Sequence, residues 1–257
     1  LQRKNLGLTE PTRIEITSGP ITTITLHCER GLNLLQTGTI TDLQQALEEL
    51  QRQKDLRVLI LSGGLGKSFC AGADIGELLT LDNIPYYVEQ GQQLIESLFH
   101  FPVPVIAAIN GYALGAGFSL ALACELRVLS EQARIGQLAV RNGLTPPFGN
   151  IQHLLQAIGP VKTKELLYTG RVFSASEAEA AGLVNRVVPH AELLNAAMQL
   201  AEEICVAPGH AIGWVKRIVN RTIEEGHAVG YLTQEEALIQ CLGDERTRSI
   251  LGRFLKN

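Results

Sequence analysis

This chain has little that points to a membrane, a nucleic acid or an oxidising compartment. Its longest apolar run, around Val103–Ile109, is far too short to span a bilayer, so no membrane association is expected. Charge is nearly balanced, with 22 Lys and Arg against 26 Asp and Glu, a net charge of −4, and there is no dense basic stripe. That excludes a nucleic-acid-binding reading. The cysteines, Cys28, Cys70, Cys124, Cys205 and Cys241, are odd in number and widely spaced. They form neither a zinc spacing nor a disulfide framework, so no metal centre is expected and a reducing compartment is the expected home. Repeats and low-complexity linkers are absent from the sequence. No signal-peptide pattern opens the chain, which begins at Leu1 rather than Met. The expected location is the cytoplasm, or an organelle matrix where a targeting segment has been removed. A piece excised from a larger protein fits the same observation.

What is present suits a folded enzyme-sized domain. The 257 residues are 46% hydrophobic and 19% charged, enough for one large or two small domains with a sizeable core. Arg13–Ile16 and Ile21–Leu26 alternate apolar and polar residues around Ser18-Gly-Pro20, the pattern of a β-hairpin. Thr41–Lys54 has helical spacing with Thr41 or Asp42 as cap, and Asp82–Phe99 reads as a second helix. Arg57–Ser62, Val103–Ile109, Leu126–Leu129 and Leu183–Val187 read as strands. Helices are expected from Gly117 to Ala123 and over Lys162–Thr169, Ser176–Ala181 and Glu192–Ile204, and the chain is helical in pattern from Pro208 onward. This alternation predicts an α/β core. The expected organisation is a loose tail over 1–10, a core over 11–204 and a helical C-terminal region over 205–257.

Two apolar runs stop at small residues. One is Phe69-Cys-Ala-Gly-Ala-Asp-Ile75; the other is Pro104-Val-Ile-Ala-Ala-Ile-Asn-Gly-Tyr-Ala-Leu-Gly-Ala-Gly117. Small residues let a ligand approach the main chain. Two such turns facing each other could aim two backbone N–H groups at one carbonyl oxygen, the requirement for an oxyanion hole.

Taken with Ile135-Gly-Gln137 and Leu167-Tyr-Thr-Gly170 followed by Ala178–Val188, these blocks resemble the crotonase (enoyl-CoA hydratase/isomerase) superfamily over roughly Ile14 to Leu255. The resemblance implies a spiral of repeated ββα turns, a C-terminal helical trimerisation layer, and a homotrimer or hexamer. It implies a coenzyme A or acyl-carrier-protein thioester as ligand and no resident cofactor. Residue by residue, it assigns the two oxyanion donors to the N–H groups of Ala73 and Ala116. It places Ala71, Asp74, Ile75 and Gly76 along the acyl-thioester and adenine side, with Gly115, Leu138 and Ala139 completing the pocket. Ala116 stands where relatives often have Gly, which narrows that pocket. Phe148, in Thr145-Pro-Pro-Phe-Gly149, falls on the turn over the acyl group. Trp214, Lys216 and Arg217 fall where relatives contact nucleotide phosphates.

The same resemblance exposes a departure. The two glutamates that hydratases of the family use fall on Ser119 and Ala139. Serine is a poor base without an activating partner, and alanine transfers no proton. The small Ala139 side chain leaves room for bicarbonate, which fills this role in some naphthoate-synthase relatives. Glu125 and Glu131 flank the next strand and read as structural, and Glu77 reads as solvated. Candidate proton donors are Tyr86 and Tyr87, on the helix lining the acyl pocket, and His153; Asn142 and Asn150 could orient a carboxylate or a water. Two classes of function stay open. One is an enzyme working through a thioester enolate, with decarboxylation or other non-hydratase lyase or isomerase chemistry favoured over hydration with non-standard residues. The other is a non-catalytic acyl-thioester binder.

Overall fold

The structure is a computed structural model that describes residues 10–254. The tail expected over 1–10 therefore lies outside the described residues, apart from Glu10. The chain runs β1 (Arg13–Thr17), β2 (Ile21–His27), β3 (Leu34–Leu35), α1 (Thr37–Leu50), β4 (Val58–Ser62), β5 (Ser68–Cys70) and β6 (Gly72–Ala73). Next come α2 (Ile75–Leu78), α3 (Ile84–Phe99), β7 (Val105–Ile109), β8 (Tyr112–Leu114), α4 (Ala116–Ala123), β9 (Leu126–Ser130) and β10 (Arg134–Gly136). A 3-10 turn at Ala139–Asn142 precedes α5 (Asn150–Thr169), β11 (Val172–Ser174), α6 (Ala175–Ala180) and β12 (Arg186–Val188). The remainder is helical: α7 (Leu193–Cys205), α8 (Gly209–Glu225), α9 (His227–Gly243) and α10 (Glu245–Phe254).

A six-stranded sheet has the order β1-β2-β4-β7-β9-β12, and a four-stranded sheet the order β11-β10-β8-β5. The predicted hairpin is the antiparallel β1–β2 pair, with Arg13 opposite His27. From β2 onward the large sheet is parallel. The steps from β4 to β7 and from β7 to β9 leave the large sheet, add one strand to the small one, pass through helix and return; the step from β2 to β4 passes instead through β3 of a two-stranded β3–β6 sheet, and the step from β9 to β12 adds both β10 and β11. The steps β4–β5–α3, β7–β8–α4 and β9–β10–α5 are the expected spiral of ββα turns.

Burial explains the strand sequences. β4 and β7 are buried at every residue, as parallel strands covered on both faces must be. Their alternate side chains divide between two cores. Leu59, Leu61, Val105, Ala107 and Ile109 face the interior of the spiral, while Val58, Ile60, Ile106 and Ala108 meet Leu193, Ala197 and Ala201 of α7. No described helix is long and apolar enough to cross a membrane.

Several boundaries differ from the sequence pattern for physical reasons. Helix α1 starts at Thr37, four residues before the expected cap, because the Glu77 carboxylate accepts the Thr37 N–H at 3.0 and 3.2 Å. The N-terminal partner comes from another segment, so local spacing could not reveal it; Glu77 is a cap for α1, not a solvated acid. Helix α5 starts at Asn150, well before Lys162, and is broken at Gly159 (φ 71°, ψ 172°) beside Pro160. The Gly-Pro pair hides two helices joined end to end. The strand expected over Leu183–Val187 pairs only over Arg186–Val188.

The helical C-terminal layer is docked by polar contacts. Asn220 Nδ2 donates to Phe99 O at 2.9 Å. Lys216 Nζ donates to Val103 O at 3.0 Å and pairs with Glu125 Oε1 at 2.5 Å, and Glu125 Oε2 accepts the Val105 N–H at 2.7 Å. Desolvation dominates both partners, pushing Glu125 up and Lys216 down from their ordinary pKa values. Lys216 is thus not a phosphate-binding group on the surface; it anchors α8 to the start of β7. Replacing it, Lys216→Met, should leave Glu125 buried without its cation and destabilise the fold by about 3 kcal/mol. Glu125 retains 24% side-chain exposure, which keeps the effect at the low end of the range for buried pairs. Denaturant titration of variant and parent measures it, and an unchanged midpoint would refute the anchoring role.

Candidate active site

Three strands of the small sheet end at one place. β5 lies parallel to β8, with Ser68 opposite Tyr112 and Cys70 opposite Ala113; β10 lies parallel to β8, with Gly136 opposite Leu114. Their carboxyl ends lead into β6, into α4 and into the turn at Leu138. In parallel α/β sheets this end of the strands is where ligands bind.

The turns touch because glycines permit it. A Cβ on Gly117 would lie 2.0 Å from Cys70 O. Gly72 has φ +119°, and a Cβ there would lie 3.0 Å from Leu114 O and 3.9 Å from Ala116 N. The backbone at 70–72 is therefore packed on the backbone at 114–117. Ala73 and Ala116 come to sit on facing turns.

The Gly115–Ala116 peptide is held at its carbonyl. Gly115 O accepts from Phe118 N and Ser119 N at 3.1 Å each, and from Ser119 Oγ and Gln137 Nε2 at 3.4 Å each. In a trans peptide the C=O and N–H point to opposite sides. Fixing the carbonyl therefore fixes the direction of the Ala116 N–H. As the first residue of α4, Ala116 has no acceptor for that N–H within the helix and stands at the positive end of the helix dipole. Gln137, buried to 1% exposure, also accepts the Ala139 N–H at 3.1 Å. One side chain thus joins the Gly115 turn to the Ala139 turn.

Around this centre Ala71, Ala73, Gly76, Gly115, Leu138 and Ala139 are half-buried, and Ile75 is exposed. Asp74 is buried and caps α2, accepting the Glu77 N–H at 3.2 Å and Gln36 Nε2 at 2.9 Å. Cys70, beneath the turn, has its thiol pushed up to about 12 by burial, so it is a neutral thiol and no nucleophile.

The remaining sequence candidates are dispersed. Ser119 is fully buried with its hydroxyl turned back on Gly115 O, a bond within its own helix. Tyr86 is exposed on the first turn of α3. Tyr87 is buried at 2% exposure, its O–H donates to Leu35 O at 2.9 Å, and burial raises its pKa above the usual tyrosine range. Its proton is committed to the main chain, which removes it as a ready donor. Phe148 is fully buried against Tyr87, with ring centroids 5.4 Å apart, and lies in the core. His153 packs on Phe99 at 5.1 Å and borders a cavity with Leu122, Ala123 and Cys124. Leu122 lies near the far end of α4 from Ala116, about 9 Å along the helix axis. The structure therefore does not bring His153 to the oxyanion turn, and desolvation lowers its pKa, keeping it neutral near pH 7. Asn142 is exposed; Asn150 is fully buried, and neither of its side-chain polar atoms bonds to another group among the described residues.

The sequence pattern gave no role to Gln137, Gln36 or Gly91. Gln137 stood inside a recognised motif, and a polar residue ending an apolar strand beside glycine was the available signal. The contacts of Gln36 and Gly91 depend on segments 38 and 57 residues away, Asp74 and Phe148, so no local signal existed.

With this geometry in view, the likeness to known proteins extends along nearly the whole chain. A family model described as enoyl-CoA hydratase/isomerase matches residues 16–254. A short-chain-enoyl-CoA hydratase of Clostridium acetobutylicum is 32% identical over 240 residues, 93% of this chain and 92% of that protein. A probable enoyl-CoA hydratase of Rhizobium meliloti is 37% identical over 226 residues, 88% of this chain and 87% of that one. The crystal structure of an enoyl-CoA hydratase from Bacillus anthracis superposes with a TM-score of 0.89 at 32% identity, covering 95% of this chain and 96% of that chain. By its spiral fold, its paired turns and these matches, the chain belongs to the enoyl-CoA hydratase/isomerase family, the crotonase superfamily.

Proposed function

We propose that this member of an acyl-CoA-processing enzyme family acts on an acyl-CoA or acyl-carrier-protein thioester through an enolate. The thioester oxygen sits between the N–H groups of Ala73 and Ala116, which take up the negative charge as it develops. The observation that carries this reading is the close approach of the Gly72 backbone to Leu114 and Ala116, together with the four donors that fix the Gly115 carbonyl.

The surroundings favour chemistry that needs no protein carboxylate pair. Ser119 spends its hydroxyl on Gly115 O, and Ala139 has no functional group. Decarboxylation of a malonyl-type or glutaconyl-type thioester suits such a site. The bond to the carboxylate breaks, its electron pair enters the enolate, CO₂ leaves, and water returns one proton to carbon. With no acidic side chain at positions 119 and 139, the substrate carboxylate is not repelled, and desolvation favours its loss. Hydration is the second reading, favoured by the names of the relatives; it requires water to be activated by groups other than the usual pair. Assembly as a trimer or hexamer belongs to the same proposal. Val215, Val219, Leu232, Leu238, Ile239 and Leu242 of α8 and α9 are exposed apolar residues with a surface to cover.

Three measurements follow. Ala116→Pro removes the donor at the first helical position, where proline is tolerated; thioester turnover should fall about 10²–10³-fold with the circular dichroism spectrum retained. Unchanged turnover would remove Ala116 N–H from the mechanism. Crotonyl-CoA hydration by the parent protein should run roughly 10²–10⁴-fold below a glutamate-bearing relative, while mass spectrometry with malonyl-type and glutaconyl-type thioesters should record loss of CO₂. Hydration at a relative's rate with no CO₂ loss would establish the second reading. Light scattering at micromolar concentration should give a trimer or hexamer, and a monodisperse monomer would refute the assembly.

A further inference from the structure

The last turns of α3 and α8 meet with an excess of negative charge. Glu96 and His100 stand four residues apart at the end of α3, and Glu224 comes from the last turn of α8. His100 Nε2 lies 3.4 Å from Glu96 Oε2 and 3.0 Å from Glu224 Oε1, and one ligand atom from each of the three residues lies within 4.8 Å of the others. Each helix also brings the negative end of its dipole, where a carboxylate is unfavourable and a basic side chain is the usual complement. Neither last turn contains one. Arg221, three residues before Glu224, is engaged by Glu225 at 2.7 Å. Among the described residues the Glu96 and Glu224 carboxylates have no ion-pair partner but His100. Its Nε2 carries at most one hydrogen, so the imidazole serves one of the two carboxylates at a time.

The frame that holds these groups is rigid. Asn220, one turn before Glu224, donates to Phe99 O at 2.9 Å, which ties α8 to the residue beside His100. The Phe99 ring meets the His100 ring edge-on, with centroids 5.1 Å apart. The three side chains themselves are exposed, and a cavity between α3 and α5 reaches both Glu96 and Glu224. An ion and its waters therefore have access. In a tetrahedral zinc site the metal lies about 2.0–2.2 Å from each nitrogen or oxygen, which sets ligand atoms about 3.3–3.6 Å apart. The two separations from His100 Nε2 are already close to that spacing, and small rotations of exposed carboxylates close the rest.

We propose that Glu96, His100 and Glu224 form a binding site for Zn²⁺, with water in the remaining position, and that the ion clips the C-terminal helical layer to the core. One imidazole nitrogen and two carboxylate oxygens are a donor set that suits this cation. The cysteine spacing bears only on thiolate sites. No local motif announces this one, because Glu224 lies far along the chain from His100. The inference is independent of the thioester reading.

The test is calorimetric titration of chelator-stripped protein with Zn²⁺, together with the visible spectrum of the Co²⁺-loaded protein and thermal melts with and without Zn²⁺. The parent should bind one ion per chain and give a tetrahedral Co²⁺ spectrum without a thiolate charge-transfer band. Its melting temperature should rise by about 5 °C at a hundredfold excess of Zn²⁺ over Kd. Glu96→Gln, His100→Ala and Glu224→Gln, all at exposed positions, should each weaken binding at least tenfold, roughly the least that disturbing a metal site costs, and abolish the rise. His27→Ala, at an exposed histidine on another element, should bind as the parent does. No binding by the parent at millimolar Zn²⁺ overturns the site. Parent-like binding in any of the three variants, or a thiolate band, assigns the ion to other ligands and overturns it as well. Binding without a rise in melting temperature overturns the clip.

Discussion

Backbone can lie against backbone only where no side chain intervenes, and the site depends on that constraint. β5, β8 and β10 run side by side in one direction, so their ends emerge together. Bringing the emerging turns into contact then requires glycine at Gly72 and Gly117, where any Cβ would strike Leu114 O or Cys70 O. The same demand recurs lower in the sheet, where a Cβ on Gly111 would meet Lys67 O at 2.0 Å. A register slip of one residue would separate the Ala73 and Ala116 turns and leave two unrelated loops.

The chemistry of the site follows from what is fixed and what is missing. The Gly115–Ala116 peptide is held by its own helix and by Gln137, so in the proposed reaction the Ala116 N–H would need no reorganisation. Acid–base groups are scarce near it: the Ser119 hydroxyl closes on its helix, the Tyr87 proton is bonded to Leu35 O, and His153 lies at the other end of α4. A site with donors for an oxyanion and few groups to move protons suits a reaction in which bond cleavage itself generates the enolate.

The C-terminal layer joins the core through polar anchors more than through apolar burial. Lys216 with Glu125 and Asn220 with Phe99 O fix α8 to the segments at either side of Pro102. Its outward residues stay apolar and exposed. The pairing of a buried ion pair inside with apolar residues outside is what a layer would need if its orientation is set within the subunit and its outer face is covered by another.

The sequence by itself determined the α/β class, strands over Ile21–Leu26, Arg57–Ser62 and Val103–Ile109, and the two glycine-rich turns, while the spiral of ββα turns was legible only through the family resemblance. These signals are local: period-two alternation, unbroken apolar runs, and small residues at fixed offsets. The absence of glutamate at 119 and 139 was equally legible, since it needs only identity and position. Tertiary structure alone decided what the long-range contacts do. It moved Glu77 from a solvated acid to the cap of α1 and Lys216 from the ligand to a buried pair, and it seated Phe148 in the core against Gly91. It committed the Tyr87 hydroxyl to Leu35 and set His153 apart from the oxyanion turn. In each case the partner lies tens of residues away along the chain. Such partners meet only after strands have paired and helices have packed, so no window of neighbouring residues carries their signature.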